Sequence, residues 1–237
     1  MDEHHDYQQI IASLRRSYNQ ENAERRDLRE PEEWKRTLRQ RFLSLLQQEN
    51  KTVLLEIGAG AGHDSLFFQK SGLDVACTDL SADMVNRCRA KGLTAYVMDV
   101  LNLDFPPRTF DAVYALNCLH HVPTHDLPAV LHKLWSLLRS GGLFFLCVYG
   151  GREWEGVREH DWHQPPRFFA YHTDTFMQHI TAPLFDLVSF HTLPSEEHPL
   201  YFQCLTLRAK QAMEGTRAGD ALALSVRNAP TGEEEVR

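Results

Sequence analysis

The stretch that decides the fold is VLLEIGAGAG, Val53 to Gly62. It opens as a short apolar run, typical of a buried parallel strand, and ends in Gly58, Gly60 and Gly62. Glycines at such a point let the backbone turn tightly from strand to helix and approach a ligand closely. Glu56 precedes the turn, and a carboxylate there favours a ligand with a cation over a pyrophosphate. The segment predicts the first strand of an α/β sheet, with a binding site at its carboxyl end.

Apolar runs and helical patterns alternate in the hundred residues that surround this stretch. The further predicted strands are DVACTD, TAYVMD, FDAVYAL and GLFFLCVYGG. Between them lie the helical segments HDSLFFQKSG, SADMVNRCRAKG and HDLPAVLHKLWSLLRSGG, the last ending at Gly141 and Gly142. Such alternation predicts a doubly wound α/β sheet. Two later runs, LFDLVSFHTL and LYFQCLTLRAK, are expected to form an antiparallel end of the same sheet.

The chain is expected to divide into three parts. Residues 1–50 are predicted to form a helical cap, because apolar residues recur every three or four positions from Trp34 to Leu46. Residues 51–210 are predicted to form the α/β domain, and residues 211–237, poor in large apolar side chains, a flexible tail. Within the domain, residues 150–172 have no clear period, which is typical of a lid or binding loop.

Composition excludes some classes of protein. At 237 residues the chain can bury one sizeable core, and its formal net charge of −7 counts against a general nucleic-acid binder. The 5 cysteines form no CxxC pair, which indicates reduced thiols and a cytoplasmic protein. The polar, acidic N-terminus does not read as a signal peptide, and no apolar run is long enough to span a bilayer, so no membrane partner is expected.

Acidic residues stand at the ends of three successive predicted strands. Besides Glu56, Asp79 ends the second strand, where a carboxylate can accept hydrogen bonds from both hydroxyls of a ribose. Asp99 ends the third strand, where it can accept from an adenine amine while the amide of Val100 donates to the ring. Each acid alone could be a helix cap or turn former, but together with the glycine turn they indicate a nucleoside ligand. Apolar residues suited to flank the adenine follow Asp79: Leu80 and Met84.

The order of these segments resembles that of class I S-adenosylmethionine (SAM)-dependent methyltransferases. The resemblance rests on LLEIGAGAG, CTDLSADMV, VMDVLNLDFPPRTFDAVYALNCLHHV and LLRSGGLFFLCVY, roughly residues 50–150. It implies a doubly wound, seven-stranded, mostly parallel sheet whose last strand is antiparallel. It also implies SAM as the methyl donor, bound across the carboxyl ends of strands one to four, with S-adenosylhomocysteine as the product.

The resemblance also implies a role for each matching residue of the cofactor site. Glu56 would help order the glycine loop and the SAM amino group, and the loop, Gly58 to Gly62 with Ala59, would pass beneath the methionine moiety. Asn117 would contact the methionine end mainly through its main chain. Tyr18, in SYNQENAER, resembles a tyrosine that closes over the SAM carboxylate. The implied partners of the ribose and adenine are the residues already singled out at the strand ends: Asp79, Asp99 and Val100.

Candidate catalytic residues lie where the acceptor would meet the methyl group. His120 and His121 follow the fourth strand, and because adjacent residues there cannot both face the ligand, one is expected to face the acceptor and the other to pack. Tyr149, near the end of the fifth strand, is the third candidate. No metal is expected, because no cluster of carboxylates accompanies the histidines and Asn117 stands in place of an acidic ligand.

Candidate substrate-binding residues lie in the insert, in and around the run WHQPPRFFAYH. Arg167 beside Phe168 and Phe169 would place a cation in an aromatic wall, where arginine binds a carboxylate or phosphate bidentately. Trp154 is expected either to line a flat pocket or to pack the lid down. The alternative for the arginine is an ion pair with an acid of the same insert: Asp161, Glu155 or Glu159.

The sequence therefore predicts a SAM-dependent methyltransferase acting on an O or N atom of a small molecule or small modified peptide, including one with a carboxylate or phosphate. Two alternatives stay open. One is a tRNA-modifying methyltransferase acting on a wobble-uridine carboxylate, against which the acidic net charge counts, and the other is a non-catalytic SAM-binding module. The sequence does not predict the oligomeric state.

Overall fold

A computed structural model describes residues 6–19, 21–196 and 199–211. The strands are β1 Val53–Ile57, β2 Asp74–Asp79, β3 Thr94–Val97, β4 Phe110–Leu116, β5 Leu138–Gly150, β6 Trp154–Val157, β7 Phe168–Tyr171, β8 Phe185–Pro194 and β9 Tyr201–Ala209. Seven of them form one sheet in the order β3-β2-β1-β4-β5-β9-β8. Neighbouring strands from β3 to β5 pair in parallel, whereas β9 runs antiparallel to both β5 and β8. The predicted fold class is confirmed.

Helices cover both faces of the sheet. They are α1 Tyr7–Tyr18, α2 Glu21–Leu28, α3 Glu33–Gln48, α4 His63–Lys70, α5 Ala82–Ala90, α6 Leu127–Leu137 and α7 Asp174–Thr181, with short 3-10 turns at Val100–Asn102 and Leu119–His121. The predicted helix through Gly142 ends earlier, because Leu138 is already extended and pairs with Phe110 of β4.

Two apolar layers enclose the sheet. On one face, side chains of α6 and α7 pack against β1, β4 and β5. On the other, α3 places Leu38, Phe42 and Leu46 over the sheet, where Tyr114 and Phe145 stack with ring centroids 4.9 Å apart. Each such side chain contributes roughly 1.5–3 kcal/mol when fully buried. The three- to four-residue spacing in the sequence therefore marks the face of α3 that holds the sheet.

The insert at 150–172 contains a small sheet that its aperiodic sequence did not predict. Strands β6 and β7 pair antiparallel. One side of β7, with Phe168, packs against Ile10 and Leu14 of α1, and the other side, with Phe169, packs against Leu200. Each strand has only four residues, which is too short for an alternation to stand out from a run of aromatic side chains.

Two further expectations concern the predicted tail and the absence of a membrane-spanning segment. Apart from Gln211, the tail predicted at 211–237 lies outside the described residues. No helix within the described ranges has the length and apolar character needed to cross a membrane.

Candidate functional site

A cleft of about 790 Å³, counting its open mouth, lies at the carboxyl ends of β1, β2 and β4. The order β2-β1-β4 places it at the point where the chain reverses the direction in which strands are added, the usual ligand site of such sheets. The residues assigned from the sequence that line this cleft are Tyr18, Gly58, Gly60, Asp79, Leu80, Met84, Asp99, Val100, Asn117 and His121. The other assigned residues lie outside its lining: Glu56, Ala59, Gly62, His120, Tyr149, Trp154, Arg167, Phe168 and Phe169.

The glycine turn forms the floor of the cleft. Gly58 and Gly60 both have left-handed backbones, with φ of +66° and +54°. A Cβ at Gly58 would lie 2.4 Å from the Cβ of Cys118, so the loop after β4 can approach only because no side chain is there. A Cβ added at Gly60 would have no neighbour within 4 Å among the described residues. That open space borders the cleft and can accept a ligand.

Asp79 faces the cleft from the end of β2. Its Oδ2 accepts from the amide of Gly60 and its Oδ1 from the amide of Ser81, both at 2.8 Å. Burial raises the pKa of this carboxyl, while the two amides oppose that rise. A carboxylate has about four lone-pair positions, so each oxygen keeps one for a further donor such as a ribose hydroxyl.

Asp99 is held at the adjacent edge by a residue that the sequence did not single out. Its Oδ1 accepts from the Tyr7 hydroxyl at 2.5 Å and from the Leu101 amide at 3.0 Å. The side chain of Asn102 donates to Oδ2 at 2.5 Å. Burial and Asp99 raise the pKa of Tyr7, which therefore stays a neutral donor. The helical pattern predicted α1 but not the register that brings Tyr7 to a strand end 92 positions away.

Glu56 lies behind the glycine turn rather than in the cleft. It is buried, and the hydroxyl of Ser65, on α4, donates to its Oε2. Burial, with the neighbouring carboxylate of Asp64, raises the pKa of Glu56 well above its ordinary value. Asp64 is itself paired with Arg39 of α3 at 2.9 Å. In this structure Glu56 therefore joins the glycine turn to α4 through Ser65. The ion pair of Arg39 with Asp64 joins α4 to α3.

His121 is held at both ring nitrogens. Nδ1 donates to the carbonyl oxygen of Phe168 at 2.6 Å, and Nε2 accepts from the Tyr18 hydroxyl at 2.7 Å. Because a carbonyl oxygen can only accept, these contacts place the single ring proton on Nδ1. Burial, together with the charge of Arg167, lowers the pKa of His121 to about 3. The imidazole is therefore neutral at ordinary pH.

Arg167 is paired within the insert. Its Nε and Nη2 donate to the two carboxylate oxygens of Asp161 at 2.6 and 2.8 Å, and Nη1 donates to the Tyr18 hydroxyl at 2.9 Å. Although burial opposes it, the hydrogen bonds from Arg167 hold the pKa of Asp161 below its usual range. The guanidinium thus connects the insert to α1. Of the three acidic partners considered from the sequence, the structure selects Asp161.

His120 lies away from the cleft, between two aromatic rings. Its ring centroid is 5.2 Å from that of Phe169 and 5.4 Å from that of Tyr149. Its Nδ1 is buried without a hydrogen-bond partner, and burial lowers its pKa well below the ordinary value. Of the two adjacent histidines, His121 lines the cleft and His120 does not.

Arg26 is a charged cleft residue that the sequence interpretation missed. It lies on α2, and its guanidinium carbon is 4.8 Å from the centroid of the Tyr18 ring. Its Nε is buried without a hydrogen-bond partner, and so is Oδ1 of Asn117, which also lines the cleft. Arg26 stands in a run of mixed charges that is typical of a solvated helix face or of a helical cover over a ligand site. No sequence signal separates it from its neighbours.

Comparisons with known proteins agree with this geometry. Residues 54–142 match the family model described as a methyltransferase domain. A fatty-acid O-methyltransferase of Mycolicibacterium smegmatis is 32% identical over 117 residues, which cover 45% of this chain and 42% of that protein. The tRNA (carboxymethyluridine(34)-5-O)-methyltransferase alkbh8 of Xenopus tropicalis is 31% identical over 99 residues, 41% of this chain and 15% of that protein. The chain thus spans less than half the length of these relatives.

A solved structure matches a longer part of this chain than the sequence comparisons do. The 1,6-didemethyltoxoflavin-N1-methyltransferase of Burkholderia thailandensis, with bound 1,6-didemethyltoxoflavin and S-adenosylhomocysteine, superposes with a TM-score of 0.58 at 22% identity. The match covers 78% of this chain and 92% of that one. Residues 54–142 therefore resemble a methyltransferase domain, and the chain shares the fold of this solved methyltransferase, as the resemblance seen in the sequence implied.

Proposed function

We propose that this protein is a SAM-dependent methyltransferase that transfers a methyl group to an O or N atom of a small molecule or small modified peptide. The observation that carries the proposal is the cleft itself. In it the open glycine turn and two strand-end carboxylates, Asp79 and Asp99, face one space at the switch point of the sheet.

The polar groups of the cleft fit both ends of SAM. Asp79 can accept from the ribose hydroxyls and Asp99, beside Val100, from the adenine amine. The two buried atoms without partners, Nε of Arg26 and Oδ1 of Asn117, fit a carboxylate and an ammonium group. When bound, SAM supplies a methyl group on a positively charged sulfur.

The elements above the cleft would exclude water from that methyl group. We assign the described part of residues 1–50 as a cap and residues 150–172 as a lid. The support for this assignment is the apolar contact of Ile10 and Leu14 on α1 with Phe168 on β7. Methyl transfer is an in-line displacement, so holding the acceptor close and aligned supplies most of the catalysis.

The acceptor side of the proposed site centres on His121, which lines the cleft. His120, Tyr149 and Phe169 pack in rings behind it and would shape that wall rather than touch the methyl group. We assign the protein to the cytoplasm, because all 5 cysteines are free thiols.

The 31% identity to alkbh8 supports the alternative of a tRNA-modifying methyltransferase. The net charge of −7 opposes it, because phosphate contacts require surplus Lys and Arg. A small acceptor therefore stays the preferred proposal. Measurable binding of tRNA at physiological salt would reverse that preference.

The experiment that tests the function measures S-adenosylhomocysteine binding by calorimetry. Asp79→Ala should weaken binding at least about tenfold, because the ribose loses a charged acceptor. Asp74→Ala is the matched control, since Asp74 is exposed at the opposite end of the same strand. Equal affinities in the two variants would contradict the proposed site.

A further inference from the structure

We propose, resting on the methyltransferase function above, that the acceptor atom is a carboxylate oxygen and that the product is a methyl ester. The transfer then needs no general base from this chain. Three observations at the His121 end of the cleft carry the inference. They are the hydrogen bonds of His121, the surroundings of the neighbouring polar groups, and the sign of the local charge.

First, His121 is not available to take a proton from an acceptor. Its Nδ1–H donates a hydrogen bond to the Phe168 carbonyl oxygen, and its Nε2 accepts a hydrogen bond from the Tyr18 hydroxyl. The Tyr18 oxygen in turn accepts from Arg167, which stabilises this direction of donation. The ring therefore acts as a fixed acceptor for Tyr18.

Second, three further candidates for a proton acceptor, Asp161, Cys118 and His120, are either hydrogen-bonded or outside the cleft lining. Asp161 accepts three hydrogen bonds from Arg167, two from the guanidinium and one from the main chain. The thiol of Cys118 donates to the carbonyl oxygen of Ile57 at 3.2 Å, and burial raises its pKa. His120 lies outside the cleft lining between aromatic rings.

Third, three arginines and one carboxylate act on the two histidines. Burial is the main cause of the low pKa of both histidines, and Arg26 and Arg167 lower both pKa values further. Arg158 adds to the effect on His120, and its guanidinium carbon is 5.2 Å from the centroid of the Phe169 ring. Asp161 is the group that opposes them at His121. Such a field attracts an anionic acceptor and repels an ammonium group.

A carboxylate satisfies all three conditions. Its ordinary pKa is about 4, so it is ionised at neutral pH without help. A carboxylate oxygen attacks the methyl carbon, the O–CH₃ bond forms and the CH₃–S bond breaks, and that electron pair stays on sulfur. One negative and one positive charge are neutralised and no proton moves. An alcohol or an ammonium acceptor would have to release a proton, and His121 cannot accept that proton because its Nε2 already accepts from Tyr18.

The first test compares acceptors matched in shape. The intact chain is incubated with methyl-tritiated SAM and one of two sets of acceptors. The aliphatic set is octanoate, 1-octanol and octylamine, and the aromatic set is phenylacetate, 4-methylphenol and phenethylamine. We expect label only on the acids, released as methanol by mild alkali, at rates that change less than about twofold between pH 6 and 9. Transfer to an alcohol, phenol or amine in preference to its matched acid would overturn the inference.

Transfer to neither acid, with S-adenosylhomocysteine still bound, would also overturn the inference while leaving the SAM site intact. Loss of S-adenosylhomocysteine binding would instead overturn the proposed function. The two failures are therefore distinguishable in one set of calorimetric and radiolabel measurements.

The second test reads the imidazole directly. In ¹⁵N-labelled protein saturated with S-adenosylhomocysteine, His121 should stay neutral with its proton on Nδ1 from about pH 5 to pH 9. Titration above pH 6 would contradict the inference. His121→Gln should lower the rate of ester formation less than about tenfold, whereas loss of a general base costs about 10²- to 10⁴-fold. A loss in that range with unaltered S-adenosylhomocysteine affinity would identify a base.

Discussion

Gly58 and Gly60 occupy the same left-handed backbone region but meet different surroundings. Gly60→Ala adds a methyl group to open space, so it should cost about 1 kcal/mol of backbone strain. Gly58→Ala should cost several times more, because its Cβ would overlap that of Cys118 and displace the loop after β4. Urea unfolding of both variants gives the comparison. Equal losses would mean that the loop moves aside freely.

Arg26 carries a second prediction at this scale. Arg26→Gln should weaken S-adenosylhomocysteine binding about tenfold, because a carboxylate loses a charged donor worth about 1.5 kcal/mol or more. The matched control is Arg25→Gln on the same helix, where the guanidinium lies over the exposed ring of Trp162. The prediction is measured by calorimetry, and it fails when both variants bind alike.

Single residues were predictable where their chemistry has a fixed place in the fold. Asp79 and Asp99 stand at strand ends, so the order of strands alone brings them together. Tyr7, Arg26 and the partner of Arg167 depend on where helices and the insert dock, which no spacing in the sequence records. The direction of the histidine pair has the same cause, since a one-residue change in a 3-10 turn exchanges the two side chains.

At the scale of elements, the buried ion pair of Asp161 and Arg167 joins two positions of the insert. Asp161→Asn should lower the free energy of unfolding by about 3 kcal/mol, because Arg167 would keep a buried charge without its charged partner. Glu159→Gln, two positions away and exposed, is the control and should change it by less than about 0.5 kcal/mol. Denaturant unfolding measures both. A loss below about 1 kcal/mol for Asp161→Asn would mean that Arg167 finds another partner.

Elements with a strong period were predictable, and elements without one were not. Strands β1, β2 and β4 follow from apolar runs bounded by glycine and acids, and α3 follows from its buried stripe. The hairpin of β6 and β7 is stabilised by contacts with α1 and with Leu200, far away in the chain. Its four-residue strands have no local signal strong enough to reveal it.

For the whole molecule, the buried histidines make stability depend on pH. Histidine in the unfolded chain titrates near pH 6.5, whereas His121 and His163 titrate at about 3 and about 4 when folded, because burial and then Arg167 lower both pKa values. The unfolded state therefore binds protons first, and stability is lost as the pH falls below about 6.5. His121 alone should account for about 2 kcal/mol between pH 6.5 and pH 5.

The measurement is the free energy of urea unfolding across that pH range. His121→Gln should flatten the slope relative to the unaltered chain, and His125→Gln, at an exposed position, is the control that should leave it unchanged. A slope that is identical in all three proteins would show that His121 is not buried as described.

For the whole sheet, the resemblance to a known family implied seven mostly parallel strands with an antiparallel last strand. The position of the cleft followed from the strand ends that carry the glycine turn and the acids. The contact between α1 and the insert above the cleft was not predictable from the sequence. It joins two segments whose relative position the α/β fold does not fix.

The contact between His121 and the carbonyl oxygen of Phe168 has a consequence for evolution. The imidazole's proton position is set by main chain, so any residue at 168 that preserves the hairpin and its packing on α1 would preserve it as well. A lineage could exchange the phenylalanine for another apolar side chain without altering the chemistry at the histidine. A comparison of residue identities between related enzymes would miss this interaction. A comparison of backbone structures would show whether a distant relative has it.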